Sequence, residues 1–260
     1  MVSLFANYVE SRGDYLIYSS VSDIGNIRKL NEDDFFVDKE HEKLFIVADG
    51  MGGHKAGDVA SRMAINIVKN HYYEKVNEDM TLKEIETELL KGIDLANKSI
   101  ISASDKFEHL QNMGTTINLV FISDNKILFI NVGDSRSYVI VHNELRQMTV
   151  DHSLVEELLK TGKINEEEAY NHPQRNIITS CLGAKLDYKV DIYYLDAEDK
   201  MKILLCTDGL SNLLMKDEIN EIIKNNEIEQ AVQLLVNSAK ENGGFDNITL
   251  ILIDLQEKRF

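Results

Sequence analysis

Six short apolar runs set the strongest limit on how this chain can fold. Each run is four to seven residues long and is rich in isoleucine, valine, leucine and phenylalanine. Such runs are typical of strands in a protein interior, because β-branched and aromatic side chains pack well on a pleated surface. We therefore predict buried strands at residues 44–48, 117–123, 127–132, 138–141, 203–206 and 248–253.

Helical patterns lie between these runs. In residues 57–73 apolar side chains recur every three to four positions, and Thr81 followed by Glu84 forms the capping signature that opens a helix. Residues 217–225 and 228–241 are predicted to be two further helices. Because strands and helices do not alternate regularly, a doubly wound parallel sheet is not favoured. The pattern predicts an α+β sandwich in which sheet layers are covered by helices.

The composition indicates one domain. The chain has 260 residues, of which 43% are hydrophobic, which is enough for one large core or two small domains. The single proline, Pro173, does not lie in a Pro/Gly/Ser-rich linker, and the sequence contains no such linker elsewhere. We therefore expect residues 1–260 to form a single domain.

Charge and hydropathy disfavour several classes of partner. The formal net charge is 28 − 44 = −16, which makes nucleic acid and anionic membranes poor candidates. No apolar run reaches bilayer length, and residues 1–15 lack the basic and apolar regions of a secretory signal. We expect a cytoplasmic protein without membrane contact, in which Cys181 and Cys206 are buried free thiols.

Aspartates stand at the ends of four predicted strands, as Asp49, Asp134, Asp208 and Asp246. A single Asp-Gly pair at a strand end is usually only a turn. If four strand ends meet, however, the carboxylates repel one another unless cations lie among them, and oxygen ligands suit Mg²⁺ or Mn²⁺ rather than zinc. Gly50, directly after Asp49, could bring its carbonyl oxygen to a metal ion.

A further acidic group lies upstream, at Glu32, Asp33 and Asp34, and Arg28 precedes Glu32 by four residues. An arginine near a metal cluster commonly binds phosphate through two parallel hydrogen bonds. The alternative is a surface ion pair between Arg28 and Glu32 that contributes almost nothing to stability. The spacing alone leaves both interpretations open.

Nine short segments are informative because of the order in which they occur along the chain. They are Arg28…Asn31-Glu32-Asp33, Asp49-Gly50-Met51-Gly52-Gly53-His54, Met113-Gly114-Thr115-Thr116, Gly133-Asp134-Ser135-Arg136, Asp151-His152-Ser153-Leu154, His172-Pro173-Gln174-Arg175-Asn176, Leu182-Gly183, Asp208-Gly209-Leu210 and Asp246-Asn247. In this order they resemble the bacterial branch of the type-2C (PPM) metal-dependent serine/threonine protein phosphatases. The resemblance covers about residues 19–254. It implies a four-layer α/β–β/α sandwich, with a central antiparallel β-sandwich flanked by helix pairs.

The resemblance implies which residues hold the metal ions. Asp49 matches the aspartate that bridges two ions, and Gly50 matches the residue whose backbone carbonyl binds one of them. Asp208 and Asp246 match the remaining ligands of the other ion. The implied cofactors are two Mn²⁺ or Mg²⁺ ions.

Further roles follow from the same resemblance. Glu32 and Asp33 match acidic residues that hold metal-bound waters, and Asp134 matches a residue that helps to bind a third, weaker metal ion. Arg28 matches the arginine that binds the substrate phosphate, and residues 151–176 match a mobile flap beside the active site.

The implied activity is dephosphorylation of phosphoserine and phosphothreonine in proteins, in opposition to a cognate serine/threonine kinase. A hydroxide that bridges the two ions would attack phosphorus directly, without a phosphorylated enzyme intermediate. Met51 stands where many eukaryotic members have a histidine, and His54 follows at a predicted helix start. A metal-bound water is therefore the expected proton donor, and we expect His152 and His172 to be structural or surface residues.

The sequence leaves three alternatives. A hydrolase of another phosphoester, such as a nuclease, is disfavoured by the net charge of −16. An inactive binding module would normally lack a matched ligand, and an interaction protein with plain Asp-Gly turns would bind no Mn²⁺ above background. Mg²⁺ and Mn²⁺ both stay open as the physiological metal, and phosphotyrosine stays open as a further substrate. Nothing indicates an obligate partner, so we expect a monomer.

Overall fold

Two antiparallel sheets form the centre of the computed structural model, which describes residues 16–52, 56–184 and 187–256. The first sheet contains, in spatial order, β1 (Leu16–Asp23), β11 (Ile248–Leu255), β10 (Lys202–Cys206), β7 (Arg136–Val141) and β8 (Glu144–Gln147). The second contains β2 (Asp33–Val37), β3 (Leu44–Met51), β5 (Ile117–Ile122), β6 (Lys126–Val132) and β9 (Asp191–Asp196), and the short β4 (Gly114–Thr115) pairs with β3.

Helices cover the outer face of each sheet. The second sheet packs against α1 (Ala56–Lys75) and α2 (Leu82–Lys106), and the first sheet packs against α6 (Lys216–Asn225) and α7 (Ile228–Glu241). Three shorter helices are α3 (Leu154–Lys160), α4 (Glu166–Tyr170) and α5 (Asp208–Ser211). Within the described ranges, no helix combines the length and apolar character needed to cross a bilayer.

The central strands are buried on both faces, and β3 shows why their sequences are continuous apolar runs. Phe45 and Val47 belong to the apolar cluster between the two sheets. The alternate residues Leu44 and Ile46 belong to the cluster that the second sheet forms with α1 and α2. Successive side chains of a strand point to opposite faces, so a strand segment between two apolar layers is apolar at consecutive positions.

All six predicted strands and the four predicted helices are present, with ends that differ by at most three residues where both ends were predicted. The apolar-run criterion did not detect β1, β2, β4, β8 and β9. The sequence of β1, LIYSSVSD, contains three serines, and β9 lies at a sheet edge where its residues alternate between exposed and half-buried. Strands of this kind lack the continuous apolar composition of a central strand.

The capping box at the start of α2 generates a stability prediction. The Thr81 hydroxyl accepts from the Glu84 backbone N–H at 3.3 Å, and the Thr81 N–H donates to the Glu84 carboxylate at 2.8 Å. Thr81→Ala should lower the free energy of unfolding by about 1 kcal/mol in urea denaturation. Thr87→Ala is the matched control, because Thr87 is also exposed but lies inside the helix. Equal losses in both variants would contradict the capping role.

Candidate active site

Strand ends from both sheets meet at one end of the sandwich. The pairing of β2 with β3 places Asp33 directly opposite Asp49. At the same end β10 finishes and β11 begins, so Thr207 of the first sheet reaches Asp33 of the second. The Thr207 hydroxyl donates to Asp33 Oδ2 at 2.8 Å and accepts from the Thr249 backbone N–H at 3.0 Å. This hydrogen bond joins the two sheets where the carboxylates gather.

Neighbouring threonines fix the backbone of Asp49. Its N–H donates to the Thr116 hydroxyl at 2.9 Å, and its carbonyl oxygen accepts from the Thr116 N–H at 2.9 Å. The Thr115 hydroxyl donates to the same carbonyl at 2.9 Å. Asp49 is therefore held through its main chain, and its half-buried carboxylate is not needed to hold the strand in place.

Gly50 and Gly57 allow α1 to approach the strands closely. A Cβ atom on Gly50 would lie 2.1 Å from the carbonyl oxygen of Gly57, and a Cβ atom on Gly57 would lie 2.5 Å from Glu32 Oε1. The Gly50 N–H donates to the Glu32 carbonyl at 3.1 Å, and the Gly57 N–H is bonded to the Glu32 carboxylate. Glu32 therefore caps the start of α1. The contact between Glu32 and Gly57 was not predicted from the sequence.

Asp208 and Asp246 are brought together by a close contact between two loops. Asp208 follows β10 as the first residue of α5, and a Cβ atom on Gly209 would lie 1.8 Å from the carbonyl oxygen of Asn247. Asn212 Nδ2 donates to Asp208 Oδ2 at 2.9 Å, whereas the buried Asp208 Oδ1 has no hydrogen-bond partner among the described residues. One carboxylate oxygen is thus left free for another ligand.

Asn247 is a structural residue of the site, and no role was predicted for it. Its Oδ1 accepts from the Glu32 backbone N–H at 2.8 Å, and its Nδ2 donates to the carbonyl oxygens of Ile24 and Leu30 at 3.0 Å. These bonds fix the loop between β1 and β2, which carries Arg28 and Glu32. The indication in the sequence was the position of Asn247 directly after Asp246, in the Asp-Asn pair.

Asp134 lies on the turn between β6 and β7. Only 6% of this residue is exposed, and its buried Oδ1 has no hydrogen-bond partner in the described part of the chain. Burial raises the pKa of Asp134 well above its usual value, and the charges of Asp208 and Asp151 raise it further. The structure thus places Asp134 within electrostatic reach of Asp49 and Asp208.

The carboxylates of the site are in a high-energy arrangement when all are ionised. Burial, assisted by the charges of neighbouring aspartates, raises the pKa of Asp33 to about 8 and that of Asp208 to about 6. The pKa of Asp49 is raised well above its usual value, first by burial and then by Asp33, Asp208, Asp134 and Asp246. Each shift reports that the charged form is poorly solvated and repelled.

This donor set fits divalent cations. The groups are oxygen ligands, they repel one another, and two of their buried oxygens have no partner among the described residues. In the described residues no three of the His, Cys, Asp and Glu side chains already converge as a finished ligand set. The raised pKa values argue that the cluster needs positive charge, and small side-chain rotations would be part of binding it.

Arg28 lies at the rim of this cluster and pairs with Asp246 rather than with Glu32. Its Nη2 donates to Asp246 Oδ2 at 2.7 Å, and 46% of the Arg28 side chain is exposed. The structure therefore disfavours the isolated surface pair that the spacing had left open. It places a half-exposed guanidinium directly beside a proposed metal ligand, and its contact with phosphate stays a prediction.

The environments of the histidines and cysteines mostly agree with those predicted from the sequence. His152 is buried, His172 is partly exposed, and His54 lies outside the described residues. Both cysteines are free, and Cys206 is fully buried in β10. The expectation of burial was wrong for Cys181, which is partly exposed because it lies in the loop beside Leu182 rather than in a core strand.

The predicted flap contains α3 and α4 and is tied down at its base. Arg136 donates to the carboxylate of Asp151 through Nε at 2.9 and 3.0 Å and through Nη2 at 2.7 Å. Ser153 forms an antiparallel bridge with Ile178, which brings the two ends of the segment together. The base of residues 151–176 is therefore anchored next to the turn that carries Asp134, and the mobility of the segment stays a prediction.

Comparison with known proteins agrees with this architecture. Serine/threonine phosphatase Stp of Listeria monocytogenes is 41% identical over 242 residues, which cover 91% of this chain and 96% of that protein. The crystal structure of the serine/threonine phosphatase Stp1 of Staphylococcus aureus superposes with a TM-score of 0.87 at 33% identity, over 96% of this chain and all of that one.

A second solved structure bears on the metal ions. It is the catalytic domain of the serine/threonine protein phosphatase PstP in complex with two manganese ions, with a TM-score of 0.82 and 29% identity over 94% of this chain and 99% of that one. The family model for protein phosphatase 2C matches residues 27–250. The predicted four-layer fold and the predicted family are both confirmed: this chain belongs to the protein phosphatase 2C family.

Proposed function

We propose that this chain is a serine/threonine protein phosphatase that hydrolyses phosphoserine and phosphothreonine with two Mn²⁺ or Mg²⁺ ions. The observation that carries the proposal is the meeting of Asp33, Asp49, Asp208 and Asp246 at one end of two joined sheets, with Arg28 beside them. Family membership supports the same reaction class.

The residues present can hold the proposed ions. Asp49, the Gly50 carbonyl, Asp208 and Asp246 would supply direct oxygen ligands, and Asp33 and Glu32 would hold coordinated waters. Asp134, with its unpartnered buried oxygen, would contribute to a third and weaker site. Two bound divalent cations supply neutralisation of the phosphate dianion and a water of lowered pKa.

The remaining chemistry falls to the residues of the chain. Arg28, half exposed at the rim, would bind two phosphate oxygens and orient the phosphoryl group. Cys206 is not a nucleophile, because burial raises the pKa of its thiol to about 12 and it has no exposed surface. Met51 cannot donate a proton, so the proton for the leaving alkoxide would come from water. No phosphorylated side chain is formed on this route.

The biological setting is part of the proposal. The substrates would be phosphoproteins made by a cognate serine/threonine kinase, and the chain would act in the cytoplasm as a monomer. Residues 1–260 would form one catalytic domain with residues 151–176 as its flap. The net charge of −16 disfavours a polynucleotide substrate.

The decisive test is metal dependence on a phosphopeptide. Activity against a phosphothreonine peptide should disappear in EDTA and return with Mn²⁺ or Mg²⁺, because the proposed reaction needs the ions to activate the attacking water. Phosphoserine and phosphotyrosine peptides of the same sequence measure selectivity. Asp246→Asn with saturating Mn²⁺ should behave like the chelated wild type. Full activity in a thoroughly chelated sample would refute the two-metal reaction.

A second prediction concerns stability without metal. Asp208 and Asp33 have pKa values raised to about 6 and about 8, so above about pH 4 these two groups bind more protons in the folded protein than in the unfolded chain. Stability should therefore fall as pH rises from about 4 to about 8, measured as the melting temperature in chelated buffer. At pH 8 saturating Mn²⁺ should raise the melting temperature.

A pair of variants assigns this effect to the site. Asp208→Asn should melt at or above the wild-type temperature at pH 8 without metal and should gain much less from Mn²⁺, because one repelling charge is gone. Asp196→Asn makes the same charge change on an exposed side chain at the far end of β9 and should behave like the wild type. An Asp208→Asn protein that fails to fold would show that this aspartate is structural.

The third prediction concerns Arg28. Arg28→Ala should lower kcat/KM on a phosphopeptide roughly 10- to 100-fold, because a hydrogen bond to a charged group contributes about 1.5–3 kcal/mol. Arg28→Lys should recover only part of this, since an ammonium does not match two phosphate oxygens. Mn²⁺ affinity by calorimetry should not fall, because Arg28 competes for Asp246. A kinetic loss below about threefold would remove Arg28 from the site.

A further inference from the structure

His152 lies outside the carboxylate cluster, yet it holds the turn that presents Asp134. The residue is only 3% exposed. The Gly133 backbone N–H donates to His152 Nδ1 at 3.1 Å, and the His152 backbone N–H donates to the Gly133 carbonyl at 2.9 Å. One histidine thus binds both main-chain polar groups of the residue that precedes Asp134.

The orientation of the imidazole is fixed from its other side. Because Nδ1 accepts a hydrogen bond, the neutral ring carries its proton on Nε2 and donates to Asp191 Oδ2 at 3.1 Å. The same oxygen accepts from Lys189 Nζ at 2.7 Å and from the Tyr193 hydroxyl at 3.2 Å. Burial lowers the pKa of His152, which favours the neutral ring that this arrangement requires. Strand β9 therefore sets the ring in place.

The turn itself has little freedom. Gly133 has a φ of +109°, and a Cβ atom there would lie 2.5 Å from Thr116 Cγ2. Thr116 is also the residue that holds the backbone of Asp49. Gly133 is thus enclosed between His152 on one side and Thr116 on the other, and any shift of its peptide moves Asp134, the next residue.

We propose that His152 is a positioning residue, which through its Nδ1 acceptor holds Asp134 in place for the third and weaker metal ion. This inference rests on the proposed function, since it takes Asp134 as a ligand. His152 also accepts from the Thr179 N–H through its carbonyl oxygen at 2.8 Å. The base of residues 151–176 and the Asp134 turn therefore share one anchor.

Two amide variants separate the hydrogen bond to Gly133 from the packing of the ring. In His152→Asn the side-chain oxygen can take the place of Nδ1 and accept from Gly133, while the contact with Asp191 is lost. In His152→Gln the amide can take the place of Nε2 and keep Asp191, while the Gly133 N–H loses its acceptor. Both variants remove the buried ring, so a role in packing alone predicts equal effects.

The first measurement needs no metal. Amide hydrogen exchange of Gly133, read by NMR in the chelated full-length protein, should be about tenfold faster or more in His152→Gln. His152→Asn should stay near the wild-type rate. Equal exchange in the two variants, or an exchange rate in His152→Gln that matches the wild type, overturns the proposal.

The second measurement is a Mn²⁺ titration by calorimetry, with Asp134→Asn marking the phase that depends on Asp134. Affinity in that phase should fall about tenfold in His152→Gln, within the range for residues that support metal ligands, and should be retained in His152→Asn. Unchanged affinity in both His152 variants overturns the inference. The inference is also overturned if the titration of Asp134→Asn shows every phase that the wild type shows. A wild type that binds no Mn²⁺ at all refutes the proposed function. The exchange rate of Gly133 is measured without metal, so it still tests whether His152 holds the turn.

Discussion

Burial of the central strands on both faces is the constraint on which the site depends. A strand such as β3 lies between the inter-sheet cluster and the helix layer, so its polar residues can lie only at its ends. Strands from the two sheets finish at the same end, and there these polar residues lie close together. The hydrogen bond between Thr207 and Asp33 joins the sheets at this point. A cluster of carboxylates is thus a consequence of how the core is layered.

Neutral groups hold this cluster together while its carboxylate oxygens stay available. Thr116 binds the main chain of Asp49, Asn247 binds the loop that carries Arg28 and Glu32, and His152 binds the peptide before Asp134. These partners act on backbone N–H and carbonyl groups, so they position an aspartate without neutralising it. Burial and the neighbouring charges raise the pKa values of the aspartates, and bound cations would offset this unfavourable effect on the charged forms.

The acidic residues of the surface and those of the site differ in their solvation and in their effect on the protein. Most of the net charge of −16 lies on solvated side chains, where it disfavours nucleic acid and contributes little to the fold. The few carboxylates at the strand ends are instead desolvated and close together. Arg28 faces them from the rim, and its bond to Asp246 ties the β1–β2 loop to the loop before β11. Binding of cations and of phosphate would therefore be linked through Arg28.

The sequence by itself determined the central strands, the long helices, the capping box at Thr81 and the placement of aspartates at strand ends, because periodicity and composition are local properties. Only the tertiary structure decided that Asp33 faces Asp49, that Arg28 pairs with a residue 218 positions away, and that Asn247 and His152 hold backbone near the site. It also revealed the polar β1 and the edge strand β9, and it placed Cys181 partly in solvent. These features depend on contacts between segments distant in the chain, which strand pairing and layer packing create and local composition does not encode.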